Sequence, residues 1–257
     1  MNSYPSVRGN DCYNYRSRER GELRPLSVVI PSRDWTNMLA CVMAMFSRER
    51  SKALWPRVIV VNDGIGAEHF DCWPNTVVEG VKPFVFSRNI NLGIRAAGTD
   101  DVILLNDDAT LQTRDGFKAL AECAQQHPDY GVISPAVDLI GNPNQWPGGL
   151  NASLRECGWS SQQLRDEPRR LCFVCVYIPR TTIEKVGLLD ESFTTYGGED
   201  DDYCYRVTLA GLKLGVFDGC FVKHSELHST FRGDPHNGSD YTASREHFKE
   251  KWGFYAI

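Results

Sequence analysis

Apolar and polar positions along the chain fall into blocks that switch between strand and helix spacing. Leu26 to Ile30 is a short apolar run closed by Pro31, the pattern of a buried strand. Pro31-Ser32-Arg33-Asp34 reads as a turn. Leu39, Val42, Met43 and Phe46 then recur at helical spacing along a helix running from Trp35 to about Met45. Arg57 to Val61 repeats the strand pattern and delivers Asn62, Asp63 and Gly64 at its end. Lys82 to Phe86 reads as a third strand, with Pro83 marking an edge or an irregular start, and a short helical run through Ala96 and Ala97 follows. Val102 to Leu105 is the central strand. A helix from about Asp115 to Gln126 buries Phe117, Leu120 and Cys123, and Tyr130 to Ser134 is a further strand. This alternation predicts an α/β chain with a mostly parallel central sheet flanked by helices.

The pattern breaks at about residue 136. Asn142 to Gly149 cannot form a regular element, and Arg155 to Arg170 is polar around Trp159. Long inserts in compact domains are often binding loops or lids. Residues 136–170 are therefore expected to be such an insert, with Trp146 and Trp159 as stacking platforms or as anchors of the loop. Regular spacing resumes with a strand from Leu171 to Ile178 and a helix from about Thr181 to Val186. A second helix opens on Glu199-Asp200-Asp201-Asp202 and ends at Gly211, with Asp202 spaced to pair with Arg206. Lys213 to Phe217 and Cys220 to Val222 read as short strands leading to His224. A last helix, about Ser239 to Lys251, packs Tyr241, His247 and Phe248. The expected organisation is an arginine-bearing arm over 1–25 and one domain over 26–257.

With 257 residues and 42% apolar content, the chain can bury a large core. A net charge of -5 argues against a general nucleic-acid binder, which needs a basic field, but leaves a local basic groove open. No apolar run approaches a membrane span and the first thirty residues are too polar for a secretory signal. The expectation is a cytoplasmic location, with peripheral attachment to a membrane left open. Nine scattered cysteines, several in apolar patterns, read as buried small hydrophobes in a reducing compartment. Cys172 and Cys175 have no second pair at a zinc spacing.

The candidate chemistry sits at strand ends, where open α/β sheets bind ligands. Asn106, Asp107 and Asp108 follow the central strand. Adjacent carboxylates repel unless a cation or donors compensate. A Mg2+ or Mn2+ ion shared with diphosphate oxygens would do so; the alternative is a pair of solvated turn or capping residues. Asp63 can accept from a nucleobase N–H or a ribose hydroxyl, or belong to an Asx turn with Gly64 at positive φ. No GxGxxG follows the first strand, so the dinucleotide clamp is missing. Arg88 suits a base or a phosphate, and Gly93 would let backbone approach a ligand. Four consecutive acids exceed what a helix start favours. Asp200, close behind two glycines, can face a site as a general base, and His224 is either a core residue or a ligand.

Taken in order, LSVVIPSRD, VIVVNDG, NINLGIRAA, LLNDD, VGLLDESFTTYGGEDDDYCYRVTLAG, VFDGCFVKH and KWG resemble the nucleotide-sugar glycosyltransferases of the GT-A fold. The resemblance is to the large inverting family 2 class and its rhamnosyltransferase-like members, and it covers roughly Leu26 to Gly253. It implies donor contacts from Pro31, Arg33, Asp63, Arg88, Asn91, Asn106 and Asp107. It implies a metal site at Asp108 and His224, with His228 as a rival, and Asp200 as the catalytic base. The implied cofactor is Mn2+ or Mg2+, and the implied donor is a nucleoside-diphosphate sugar, with uridine or deoxythymidine favoured. The insert then becomes an acceptor-side region. The acceptor can be a glycan, a lipid, a protein or a hydroxylated nucleobase, although the acidic charge disfavours nucleic acid. No oligomeric state is implied. Asn106 departs from the aspartate that opens the family's DxD, and RRLCFVC departs from the glycine of many relatives. A sugar-1-phosphate nucleotidyltransferase would need a glycine-rich basic loop where PSRDW stands. A non-catalytic sugar-binding module would have lost the acids that are present here.

Overall fold

The computed structural model describes residues 22–51, 54–71, 73–138, 140–147, 163–167, 169–195, 197–224, 227–229 and 241–256. In β1 (Leu26–Ser32) every residue is buried, with Val28 and Ile30 in one core and Val29 in the other. β4 (Asp101–Leu105) divides in the same way, Ile103 and Leu105 against Val102 and Leu104. A strand apolar at every position needs cover on both faces. α1 (Trp35–Arg48) and α3 (Gly116–Gln126) cover the first face. The second is covered by α2 (Phe86–Ala96), α4 (Arg180–Val186) and α5 (Glu199–Leu209).

β2 (Arg57–Asn62) lies parallel to β1, and β3 (Thr76–Glu79) parallel to β2 at the edge. On the other side β4 runs parallel to β1, then β8 (Cys175–Ile178) inserts antiparallel between β4 and β6 (Tyr130–Val137). β9 (Lys213–Lys223) follows parallel to β6, and both β5 (Thr110–Leu111) and β7 (Leu164–Asp166) pair antiparallel with it. The registers Ser32↔Asn62 and Val29↔Leu104 bring the carboxyl ends of β1, β2 and β4 to one rim.

The third strand differs from the sequence expectation. It is Thr76–Glu79, a four-residue edge segment too short to show a period, whereas Phe86 already begins α2. Gly93 serves the sheet and not a ligand: a Cβ there would lie 2.2 Å from Val29 Cγ1, so glycine lets α2 settle onto β1. The two late strands are one, with a register shift that leaves residues 218–220 unpaired against β6. The start of the expected insert is the end of β6, and its far end supplies β7. Most of the arm, and Trp159, lie outside the described residues. Among those described, Cys41, Cys123, Cys175, Cys204 and Cys220 are buried free thiols. No described helix is long and apolar enough to cross a membrane.

The four acids that open α5 go to different places, because successive helical residues point about 100° apart. Asp202 turns inward and is fully buried. It accepts from Arg206 Nε at 2.8 Å, from Lys251 Nζ at 2.6 Å and from Trp252 Nε1 at 2.8 Å. The last two belong to α6 (Thr242–Trp252), so one carboxylate ties the final helix to α5. Removing one member of a buried charged set leaves the others uncompensated. Asp202→Ala is expected to lower unfolding free energy by about 3 kcal/mol, read by urea denaturation. A loss within about 0.5 kcal/mol, the size of an ordinary surface substitution, contradicts this role.

Candidate active site

A cleft of about 600 Å³ opens at the rim where the strands end. Pro31 from β1, and Asn106, Asp107 and Asp108 beyond β4, form one wall. Asp107 Oδ2 accepts from Ser32 Oγ at 2.6 Å. Burial pushes the Asp107 carboxyl up to about 7; the Ser32 bond opposes this and the neighbouring Asp108 charge adds to it. His224 reaches the same wall through sheet register. Thr110 pairs with Lys223, so the residue after Lys223 falls beside Asp108, with Nε2 3.4 Å from Oδ1. The Asp138 carboxylate accepts from the His224 backbone N–H and fixes the turn. His228 is exposed, off the cleft wall, with its carbonyl accepting from Asn37 Nδ2 at 2.8 Å.

The opposite wall comes from the start of α5. Gly198, at φ +90, precedes Glu199, Asp200 and Asp201, all of which line the cleft. Burial raises the pKa of the Glu199 and Asp200 carboxyls. It raises Asp201 to about 7, against the pull of the Arg170 guanidinium 3.5 Å away. Asp200 Oδ1 accepts from the Asp201 backbone N–H at 2.9 Å. Arg170 and Cys172, within the divergent RRLCFVC, complete this side, as does Phe84 on the other. Sequence reasoning missed Arg170, Ser32 and Lys82 as site residues. Of these, only Arg170 carried a signal, as a charge at the edge of an apolar run.

Asp63 sits off the cleft wall, with 2% of its surface exposed. Asn62 Oδ1 accepts from Gly64 N and Ile65 N at 3.0 and 2.7 Å, the Asx turn, and so presents Asp63 at the rim. Arg33 Nη2 and Lys82 Nζ approach its carboxylate to 3.2 and 2.9 Å, yet neither of its oxygens is met with hydrogen-bond geometry. Arg33 also lies 5.6 Å over the Phe84 ring. Arg88 faces Glu191 at 4.0 Å, away from the cleft wall. Asn91 is spent on the chain before α5: Nδ2 donates to Leu189 O and Glu191 Oε1, both at 2.9 Å, and Oδ1 accepts from Leu189 N. Trp146 is also off the wall, donating to Ile140 O at 2.9 Å, as a loop anchor does.

Among the described residues no three His, Cys, Asp or Glu side chains converge as a metal cage. The pair present, one carboxylate and one imidazole, suits a hard divalent ion that takes its remaining ligands from water and from a phosphate-bearing substrate.

No family model matches the chain. Over 97% of its length it is 24% identical to the uncharacterized protein y4gI of Sinorhizobium fredii. Over 84% it is 23% identical to chondroitin synthase of Pasteurella multocida. It spans 30% and 27% of those relatives, under a third of each. Among solved structures, GalNAc-T7 with UDP, GalNAc and Mn2+ superposes with a TM-score of 0.64 at 15% identity, over 84% of this chain and 46% of that one. The mannosyltransferase PcManGT from Pyrobaculum calidifontis, in complex with GDP-Man and Mn2+, gives 0.56 at 13% identity, over 84% and 59%. The chain has the GT-A fold.

Raised carboxyls make the site pH-sensitive in a defined direction. Asp107 and Asp201 carry folded values of about 7 against an ordinary 3.8, so their contribution to stability is complete below about pH 4 and is lost as pH rises through 7. A cation beside Asp107 reverses this, because it prefers the ionised form. The rise in unfolding temperature caused by Mn2+ is therefore expected to be larger at pH 8 than at pH 6, by differential scanning fluorimetry. An equal rise at both contradicts it.

Proposed function

We propose that the chain is an inverting glycosyltransferase that moves a sugar from a nucleoside-diphosphate sugar to an acceptor hydroxyl. One observation carries the reading: Asp108 with His224 and, across the cleft, Asp200 line the same cavity at the ends of the strands. Solved structures of the same fold hold UDP or GDP-Man together with Mn2+, which supports a nucleotide-sugar donor.

Asp108 and His224 would hold the divalent ion, and Asn106 and Asp107 would stand beside the donor diphosphate. A bound Mn2+ or Mg2+ supplies positive charge against the leaving group. At the nucleoside end, Asp63, buried between Arg33 and Lys82, is the acid that would accept from the nucleoside. The family resemblance favours uridine or deoxythymidine as the carrier. Arg33 and Lys82 pair with the Asp63 carboxylate and close the rim around it. Pro31 gives the donor a rigid apolar edge.

Asp200 acts as general base. It takes the proton of the acceptor hydroxyl as that oxygen bonds to the anomeric carbon from the face opposite the nucleotide. The bond from the anomeric carbon to the diphosphate oxygen breaks, its electron pair leaves with the nucleoside diphosphate, and the anomeric configuration inverts. Burial raises Asp200 toward the range where it can accept a proton effectively, and Arg170 on the neighbouring Asp201 limits the rise.

The test is UDP release from a panel of UDP-hexoses with free saccharides as acceptors. Asp200→Asn is expected to lower kcat by about a thousandfold while donor KM changes little. A loss of less than tenfold moves the base elsewhere.

A further inference from the structure

Donor binding and proton transfer leave one feature of the cleft without a role. Tyr241 lines the cleft with half of its surface (50%) exposed. The other exposed large apolar side chains among the described residues, such as Met43, Trp55 and Leu209, lie elsewhere. The ring is held in place. A Cβ built on Gly197 would lie 2.4 Å from Tyr241 Cε1 and 2.8 Å from Cδ1, so the ring edge rests on the Gly197 backbone. Gly197 has φ +82, so glycine there serves both the turn and the approach of the ring. Thr195 Oγ1 and Ser244 Oγ lie 2.7 Å apart, and Ser192 Oγ and His247 Nε2 2.8 Å apart, so α6 is fastened to this same loop twice more. Asp200 is three residues beyond Gly197. Ring and base therefore share one mount.

The mount is on the flank away from the nucleoside end. Asp63 follows β2, on the β1 side of β4, whereas α5 packs on β6 and β9, on the other side. Beside its apolar residues, the cleft that the ring lines presents Glu199, Asp200, Asp201, Arg170 and Arg245. An acyl chain placed there would strip these groups of water without giving them partners. A sugar ring has an apolar C–H face for the phenol and hydroxyls for the polar perimeter.

We propose that Tyr241, seated on Gly197, is the platform for the acceptor and that the acceptor is itself a sugar ring, stacked with one hydroxyl toward Asp200. The assignment of that hydroxyl rests on the transferase reading; the stacking does not. Cellohexaose, chitohexaose and a chondroitin hexasaccharide serve as probes, each titrated in the presence of UDP and Mn2+ by saturation-transfer NMR. UDP with Mn2+ is titrated separately by calorimetry. At least one saccharide is expected to bind the unmutated chain. Tyr241→Ala weakens it about tenfold, and Tyr241→Phe, which keeps the ring face, leaves it close to unmutated. UDP affinity stays the same in both variants. The platform is overturned if no saccharide binds a chain that binds UDP, or if Tyr241→Ala keeps full saccharide affinity. Saccharide binding that depends on Tyr241 without any UDP binding supports the platform and overturns the transferase reading. Binding of neither overturns both.

Discussion

Asp107 and Asp108 stand next to one another at the buried end of β4, and like charges this close in a poorly solvated place destabilise each other. Ser32 offers Asp107 one hydrogen bond, yet burial still holds that carboxyl near 7. Much of the fold converges on this pair. The parallel registers of β1 and β4 bring Ser32 to it, and the pairing of β5 with β9 brings His224. A divalent ion shared with a diphosphate would offset the repulsion between the two acids.

The second wall is organised by a different economy. Helical geometry divides four consecutive acids: Asp202 goes into the core, while Glu199, Asp200 and Asp201 line the cleft, Asp201 beside Arg170. Lys251 and Trp252, some fifty residues away, are bound to Asp202, and Lys251 also reaches Asp190 at 2.6 Å. The final helix is thereby locked to the segment that carries Asp200. The two glycines before the helix let the chain turn into it, and one of them seats Tyr241. Stability and the geometry of the cleft thus share the same few bonds.

Much of this was legible in the sequence where local chemistry and tertiary placement coincide. β1, β2 and β4 carry unbroken apolar runs through their middles, as strands covered on both faces do, and polar residues fall at the rim. The pairing of Asp202 with Arg206 needed only helical spacing. What escaped depended on contacts remote in the chain. Lys82 reads as part of a strand, since nothing local announces its ion pair with Asp63. Asn91 resembles a donor contact, but its amide is consumed by Leu189 and Glu191, about a hundred residues on. Gly93 looks suited to a ligand and instead meets Val29. Tyr241 reads as a packed residue of the last helix, because period alone does not say which face an open cleft will meet.

The central claim is that the β4 acids await a cation and a nucleoside diphosphate together. Calorimetric titration of UDP, with and without Mn2+, on the unmutated chain and on Asp108→Ala tests it most directly. The account predicts UDP binding that requires Mn2+ and is lost in Asp108→Ala. UDP affinity that is the same with and without Mn2+, or that survives Asp108→Ala, would contradict it.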